Sequence, residues 1–121
     1  MKQIITILAL CMLNFSFAQD KNARATLEVD GVCGMCKERI EKAAIKTKGV
    51  KSAVWSIDTH ELDLIYDARK TNTDSISKNV AAVGHDTKFI LATEEAYLSV
   101  DACCRYRDDQ VVKDHESGDV K

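Results

Sequence analysis

Apolar and polar positions alternate along the chain in a way that predicts short strands separated by amphipathic helices. Residues 25–29 alternate between the two kinds of side chain, as a half-buried strand does. A helical period of apolar residues then runs over 36–47, and Gly49 is a favourable helix stop after it. Two further alternating segments, 53–57 and 62–66, are joined by a connection of hairpin length.

A second helix and a last strand complete the predicted order of elements. Thr73 or Asp74 can cap the helix, Gly84 can close it, and between them apolar residues recur at helical spacing at Ile76, Val80 and Val83. Residues 87–92 read as a short final strand. The order strand, helix, strand, strand, helix, strand predicts an α+β, ferredoxin-like βαββαβ sandwich. Its sheet would be four-stranded and antiparallel, with two helices on one face.

The first 18 residues read as a secretory signal peptide. Lys2 supplies the positive end, residues 4–13 form the apolar stretch, and Ser16-Phe17-Ala18 resembles a cleavage site. The apolar stretch is too short for a permanent transmembrane helix, so we expect an exported protein, periplasmic in a double-membraned bacterium, with no stable membrane insertion. The remainder of the 121 residues suffices for one domain. A net charge of −2 argues against nucleic-acid binding.

Cys33 and Cys36 stand at the predicted turn from the first strand into the first helix. Two thiols three residues apart at such a corner can point at one site, and the free N–H groups of the helix start favour their thiolate form. Thiolates are soft ligands that suit Cu(I), Hg(II), Cd(II) or Zn(II) better than Mg(II) or Ca(II).

Three other interpretations of this cysteine pair remain open. It could be a structural disulfide, which is reasonable outside the cytosol. It could be a thioredoxin-like redox pair, although the chain contains no proline for the cis-proline loop of that fold and the motif follows only one strand. It could also be half of a zinc site completed by Cys103 and Cys104, although adjacent cysteines are poorly spaced for a tetrahedral ion.

The spacing of several motifs resembles that of the heavy-metal-associated domain. This is the small module of copper chaperones, copper-pump N-terminal domains and the periplasmic mercuric-ion-binding protein. The matching residues are Val29-Asp30-Gly31, Cys33-x-x-Cys36, Ile40-Glu41, Gly49-Val50, Tyr66-Asp67, Ile76 and Gly84-His85. The family usually reads Gly-Met-x-Cys-x-x-Cys, whereas Gly31-Val32-Cys33 lacks one residue and the methionine.

The resemblance implies a metal-binding domain over residues 23–92 rather than an enzyme. It implies one soft metal ion held by Cys33 and Cys36 and passed to a partner by ligand exchange. Copper(I) is the first expectation, with Hg(II), Zn(II) and Cd(II) as alternatives. The implied partner is a metal-transporting ATPase or another metal-binding protein. A metal-bridged homodimer through opposed CxxC loops is a further expectation.

Three further residues are candidate metal ligands. His85 lies at a family position that faces the cysteines. The resemblance favours two interpretations equally, a metal ligand and a surface histidine that binds no metal. Cys103 and Cys104 lie in a tail, 93–121, where they could add thiolates over the metal, form a disulfide with the CxxC pair or stay free. Vicinal cysteines rarely bond to each other without strain. The residues from Tyr106 onward are polar and are predicted to be frayed.

The leading hypothesis is therefore an exported soft-metal carrier or scavenger. The alternative is a thiol-disulfide oxidoreductase with Cys33 as nucleophile and Cys36 as resolving thiol.

Overall fold

The computed structural model describes residues 20–118. The predicted signal peptide lies outside this range. The elements in chain order are β1 (Ala23–Glu28), α1 (Gly34–Lys46), β2 (Val50–Trp55), β3 (Glu61–Tyr66), α2 (Thr73–Ala82), α3 (Glu94–Leu98), a 3-10 turn (Ala102–Cys104) and α4 (Asp109–Ser117). Within 20–118, none of these helices has both the length and the apolar character that crossing a membrane requires.

The three strands form an antiparallel sheet in the order β1-β3-β2. Leu62 of β3 lies opposite Leu27 of β1 and opposite Trp55 of β2, so their side chains share one face. Helices α1 and α2 cover that face. The buried core joins their apolar residues to those of the strands, namely Ile40, Ala43, Ala44, Ile76, Val80, Leu27, Ala53, Trp55, Leu62 and Leu64. The predicted α+β architecture is confirmed.

The four-stranded sheet was not an accurate prediction, because residues 87–92 form no strand in the described structure. Thr87 makes a single antiparallel bridge to Val29. Its backbone N–H then donates to the carbonyl of Ile90 at 2.8 Å, and its hydroxyl accepts from the Ile90 N–H at 3.0 Å. A turn that uses these groups internally leaves them unavailable to a neighbouring strand.

The carboxyl ends of α1 and α2 lie where the sequence predicted them, but the amino-terminal cap of α2 does not. Gly49 and Gly84 follow their helices with φ of 101° and 105°, a conformation that favours glycine. The cap of α2 is Asn72, one residue before Thr73, because the Asn72 side chain accepts the Ser75 N–H at 2.8 Å.

The tail packs against the domain instead of fraying. Tyr97 and Val100 are buried beside the corner that follows α2. The Tyr106 hydroxyl donates to the Gly84 carbonyl at 2.7 Å and accepts the Asp86 N–H at 2.8 Å. Residues 109–117, predicted to be frayed, form α4. Polarity alone misled the prediction, because these polar groups find partners on the domain.

An ion pair fixes the same corner. The Arg107 guanidinium donates to both carboxylate oxygens of Asp86, at 2.7 and 3.1 Å, and to the Ala92 carbonyl at 2.9 Å. It also lies over the Tyr97 ring, 4.3 Å from the centroid. A bidentate pair that is stacked on an aromatic ring holds a defined geometry, so the segment between Asp86 and Arg107 returns to the domain at a fixed place.

We expect Gly84→Ala to destabilise the protein and to loosen the tail. A Cβ at this position would stand 2.6 Å from the Ala96 carbonyl oxygen and from Val100 Cγ1, at a φ that alanine rarely adopts. The expected loss is about 2–4 kcal/mol of unfolding free energy, measured by denaturant unfolding. Gly34→Ala is the control, because a Cβ there meets nothing within 4 Å. Equal stability of the two variants would contradict this account.

Candidate metal centre

The CxxC pair lies at the amino end of α1, where the two thiols face each other. Cys33 is the N-cap, and its sulfur accepts the Cys36 N–H at 3.4 Å. The sulfurs of Cys33 and Cys36 are 3.2 Å apart. Cys36 is fully buried and Cys33 is 9% exposed. The short turn into the helix therefore brings both thiols to one site, as the spacing of the two cysteines predicted.

The tail brings a third thiol to this pair. The 3-10 turn presents Cys104, which is fully buried, with its sulfur 3.0 Å from that of Cys33. The sulfurs of Cys33, Cys103 and Cys104 all lie within 4.8 Å of one another, and no other such group of potential ligands occurs within 20–118. All four cysteines of this range are free thiols. The structure thus gathers residues that are about 70 positions apart in sequence.

The three buried thiols differ in acidity. Burial raises the pKa of Cys33, but hydrogen bonds from Cys104 and Cys36 outweigh burial, and its pKa is lowered. Burial raises the pKa values of both Cys36 and Cys104, and donating to the Cys33 sulfur raises them further. These directions favour the thiolate form at Cys33, with the neighbouring thiols as hydrogen-bond donors.

Arg39 provides the positive charge beside the cluster. Burial lowers the pKa of its guanidinium, but a hydrogen bond and charge interaction with Cys104 outweigh burial and raise it. The same guanidinium contacts the Asp101 carboxylate at 3.1 Å and His85 Nε2 at 3.3 Å. Arg39 thereby ties α1 to the tail next to a site that gathers thiolates.

His85 is fully buried, but its ring nitrogens contact protein groups. Nδ1 lies 2.8 Å from the Asp30 carbonyl oxygen, so Nδ1 donates there and Nε2 accepts from Arg39. Burial lowers the pKa of His85 to about 4, which keeps the ring neutral near pH 7. The structure does not place His85 in the sulfur group. A ligand role for His85 stays a prediction.

Cys103 lies on the outer side of the cluster. Its sulfur is 4.0 Å from that of Cys104 and 3.7 Å from Met35 Sδ. His115 of α4 lies 2.7 Å from the Cys103 carbonyl oxygen through Nε2, which holds α4 against the turn. The 68 positions that separate Met35 from Cys103 along the chain hid their contact from the sequence.

A small α+β fold that gathers thiols at the start of its first helix defines a class of soft-metal domains. The sequence model of the heavy-metal-associated domain matches residues 26–86, half of the chain. The chain belongs to this family, as its motifs indicated. Cys103 and Cys104 lie beyond the matched residues.

Named relatives share this domain. A copper-exporting P-type ATPase of Staphylococcus saprophyticus is 32% identical over 68 residues, which are 55% of this chain and 9% of the ATPase. The chain therefore matches only a small part of that protein. The structure of a CopZ metallochaperone is 27% identical, with a TM-score of 0.52 over 54% of this chain and 98% of the chaperone. The yeast copper transporter domain Ccc2a is 28% identical, with a TM-score of 0.50 over 58% of this chain and 92% of that domain.

We expect iodoacetamide to alkylate Cys103 before Cys36 and Cys104. The latter two are fully buried and their pKa values are raised, whereas Cys103 is only half-buried. Peptide mass spectrometry of the reduced protein at successive times measures the order. In guanidinium chloride the four thiols should react at similar rates. Faster labelling of Cys104 than of Cys103 in the folded protein would contradict the packed tail.

Proposed function

We propose that this protein is an exported carrier or scavenger of a soft metal ion, copper(I) foremost, which binds one ion and passes it by ligand exchange. Cys33 and Cys36 are the primary ligands, and Cys104 is a third thiolate supplied by the tail. The partner is a metal-transporting ATPase or another metal-binding protein. The position of the Cys33 sulfur, 3.2 Å from that of Cys36 and 3.0 Å from that of Cys104, carries the proposal.

The spacing of these sulfurs suits one ion after a small adjustment. With metal–sulfur bonds of about 2.3 Å, two sulfurs around a three-coordinate ion stand about 4 Å apart. The Cys33 sulfur, now 3.2 and 3.0 Å from those of Cys36 and Cys104, would therefore stand about 1 Å further from each of them around such an ion.

Copper(I) is preferred on chemical grounds and by likeness to named relatives. A monovalent d10 ion accepts two or three thiolates, whereas structural Zn(II) takes four ligands in a tetrahedron. Three thiolates and one Cu(I) carry a net charge of −2, and the Arg39 guanidinium beside Cys104 offsets part of it. The ATPase at 32% identity is copper-exporting by name, and the yeast domain Ccc2a at 28% identity is a copper transporter domain by name. Hg(II) and Cd(II) share the preference for thiolates and are competitors in the test.

One observation favours the alternative function as a thiol-disulfide oxidoreductase. The lowered pKa of Cys33 beside the raised pKa of Cys36 is the asymmetry that a nucleophile and its resolving thiol need. Against it, Cys33 is only 9% exposed and Cys104 packs on its sulfur. Reduction of insulin disulfides by the protein would support the enzyme. Stoichiometric Cu(I) binding without such activity supports the carrier.

The predicted result of titrating the reduced protein with Cu(I) against a chromogenic chelator is one tightly bound equivalent. Cys33→Ser/Cys36→Ser should weaken binding at least about 100-fold, which corresponds to about 2.8 kcal/mol. Cys104→Ser should weaken it by about 10- to 100-fold because one of three ligands is lost, equivalent to roughly 1.4–2.8 kcal/mol. Circular dichroism verifies folding of each variant.

His60→Asn is the matched control, because His60 lies outside the sulfur group and its positive φ of 59° suits asparagine. Its affinity should equal that of the wild type. Unchanged affinity in Cys104→Ser would show that the tail supplies no ligand to the site. A wild-type protein that cannot compete with the chelator would contradict the carrier function. Sedimentation at each added equivalent tests the metal-bridged homodimer, and parallel titrations with Hg(II), Cd(II) and Zn(II) rank the ions.

A further inference from the structure

Met35 and Cys103 form a second pair of soft donors on the outer side of the thiol cluster. The Cys103 thiol donates to Met35 Sδ at 3.7 Å, one residue coming from α1 and the other from the tail. Met35 is 47% exposed, although its side chain is one that usually packs in a core. A thioether and a thiol are both soft ligands that copper(I) accepts. The pair is therefore chemically fit to bind the same ion as the buried cluster.

This outer pair is connected to the buried thiols by short sulfur–sulfur distances. The sulfur–sulfur distance is 3.7 Å between Met35 and Cys103, 4.0 Å between Cys103 and Cys104, and 3.0 Å between Cys104 and Cys33. The first two distances are close to the separation of about 4 Å between sulfurs that share a three-coordinate ion. An ion could move along this series by gaining one sulfur before it loses another.

The buried thiols have no comparable exposure of their own. Cys36 and Cys104 are fully buried, and Cys33 is 9% exposed. Met35 and Cys103 line a cavity of about 330 Å³ together with Cys33, Gly34, Glu38 and His115, so the cavity borders the buried cluster at Cys33 and not at Cys36 or Cys104. A small chelate or the cysteine of a partner can reach this cavity, whereas reaching Cys36 directly requires displacement of the packed tail.

We propose that Met35 and Cys103 form a gate site through which the soft ion passes between the solvent or a partner and the buried thiols. The proposal rests on the proposed function and adds the route by which the ion is loaded and released. In loading, a bond from Met35 Sδ or Cys103 Sγ to Cu(I) forms and a bond to the donor's ligand breaks. Cu(I) keeps its oxidation state throughout. Each thiol that binds releases its proton to solvent, and each thiol that is released takes one up.

The gate site makes Met35 important for rate and unimportant for equilibrium affinity. Met35 is not among the final ligands, so its removal raises the barrier to loading and to release alike. Leucine has nearly the volume of methionine but no sulfur, and at an exposed position it should leave the fold unchanged. Met35→Leu is therefore a selective test of the gate.

The experiment follows Cu(I) transfer from a chromogenic chelator to the reduced protein by anaerobic stopped-flow absorbance, and release to excess chelator in the reverse direction. Met35→Leu should slow both directions about tenfold, equivalent to about 1.4 kcal/mol in the barrier, with unchanged affinity. Cys103→Ser should also slow both. Glu38→Gln, which lines the same cavity without a soft donor, should exchange at the wild-type rate. Circular dichroism confirms that the variants fold.

The possible results of this experiment test the gate and the carrier function separately. Wild-type rates in both Met35→Leu and Cys103→Ser, with tight Cu(I) binding retained, would overturn the gate and leave the carrier function standing. Faster release with unchanged loading in Met35→Leu would make Met35 a resident ligand, which also overturns the gate. A slowing of equal size in Glu38→Gln would assign the effect to the charge or general disturbance of the cavity lining instead of its sulfurs, which also overturns the gate. Failure of the wild type to bind Cu(I) would overturn the carrier function itself.

Discussion

At the corner after α2 the backbone of Gly84 turns with a φ of 105°, and the Ala96 carbonyl and the Val100 side chain occupy the space of its absent Cβ. The Arg107–Asp86 ion pair closes the same corner from the other side. Between these two contacts the chain has little freedom, so the intervening turn is carried back across the start of α1. The position of Cys104 against Cys33 depends on this anchoring, because neither thiol could hold the tail by itself.

The anchored tail alters the CxxC site that the family match defines. The matched residues end at 86, so the helices and strands that position Cys33 and Cys36 belong to the domain. The residues that cover these two cysteines, here called the cover, belong to the tail. The cover adds the buried thiol of Cys104. It also brings Asp101 into contact with Arg39, which puts a cation next to the thiols. A buried anionic site without such a cation would pay a large desolvation cost.

Burial and exchange make opposite demands on a carrier. A site sealed from solvent protects the ion, but a partner must still reach it to form a new bond before an old one breaks. Half-buried Cys103 and exposed Met35 stand at the boundary between the sealed thiols and the solvent. In the proposed carrier, the same tail would enclose the ion and provide the place where it leaves.

The sequence by itself determined the parts of the structure that depend on residues close together along the chain. The period of the apolar positions located both helices and three strands, glycine marked the helix stops, and the spacing of Cys33 and Cys36 was sufficient to place two thiols at one corner. Only the tertiary structure decided that residues 87–92 turn on themselves, that the polar tail packs, and that Cys104 joins Cys33. Those outcomes depend on contacts such as Arg107 with Asp86, between residues far apart along the chain, and local periodicity carries no information about such pairs.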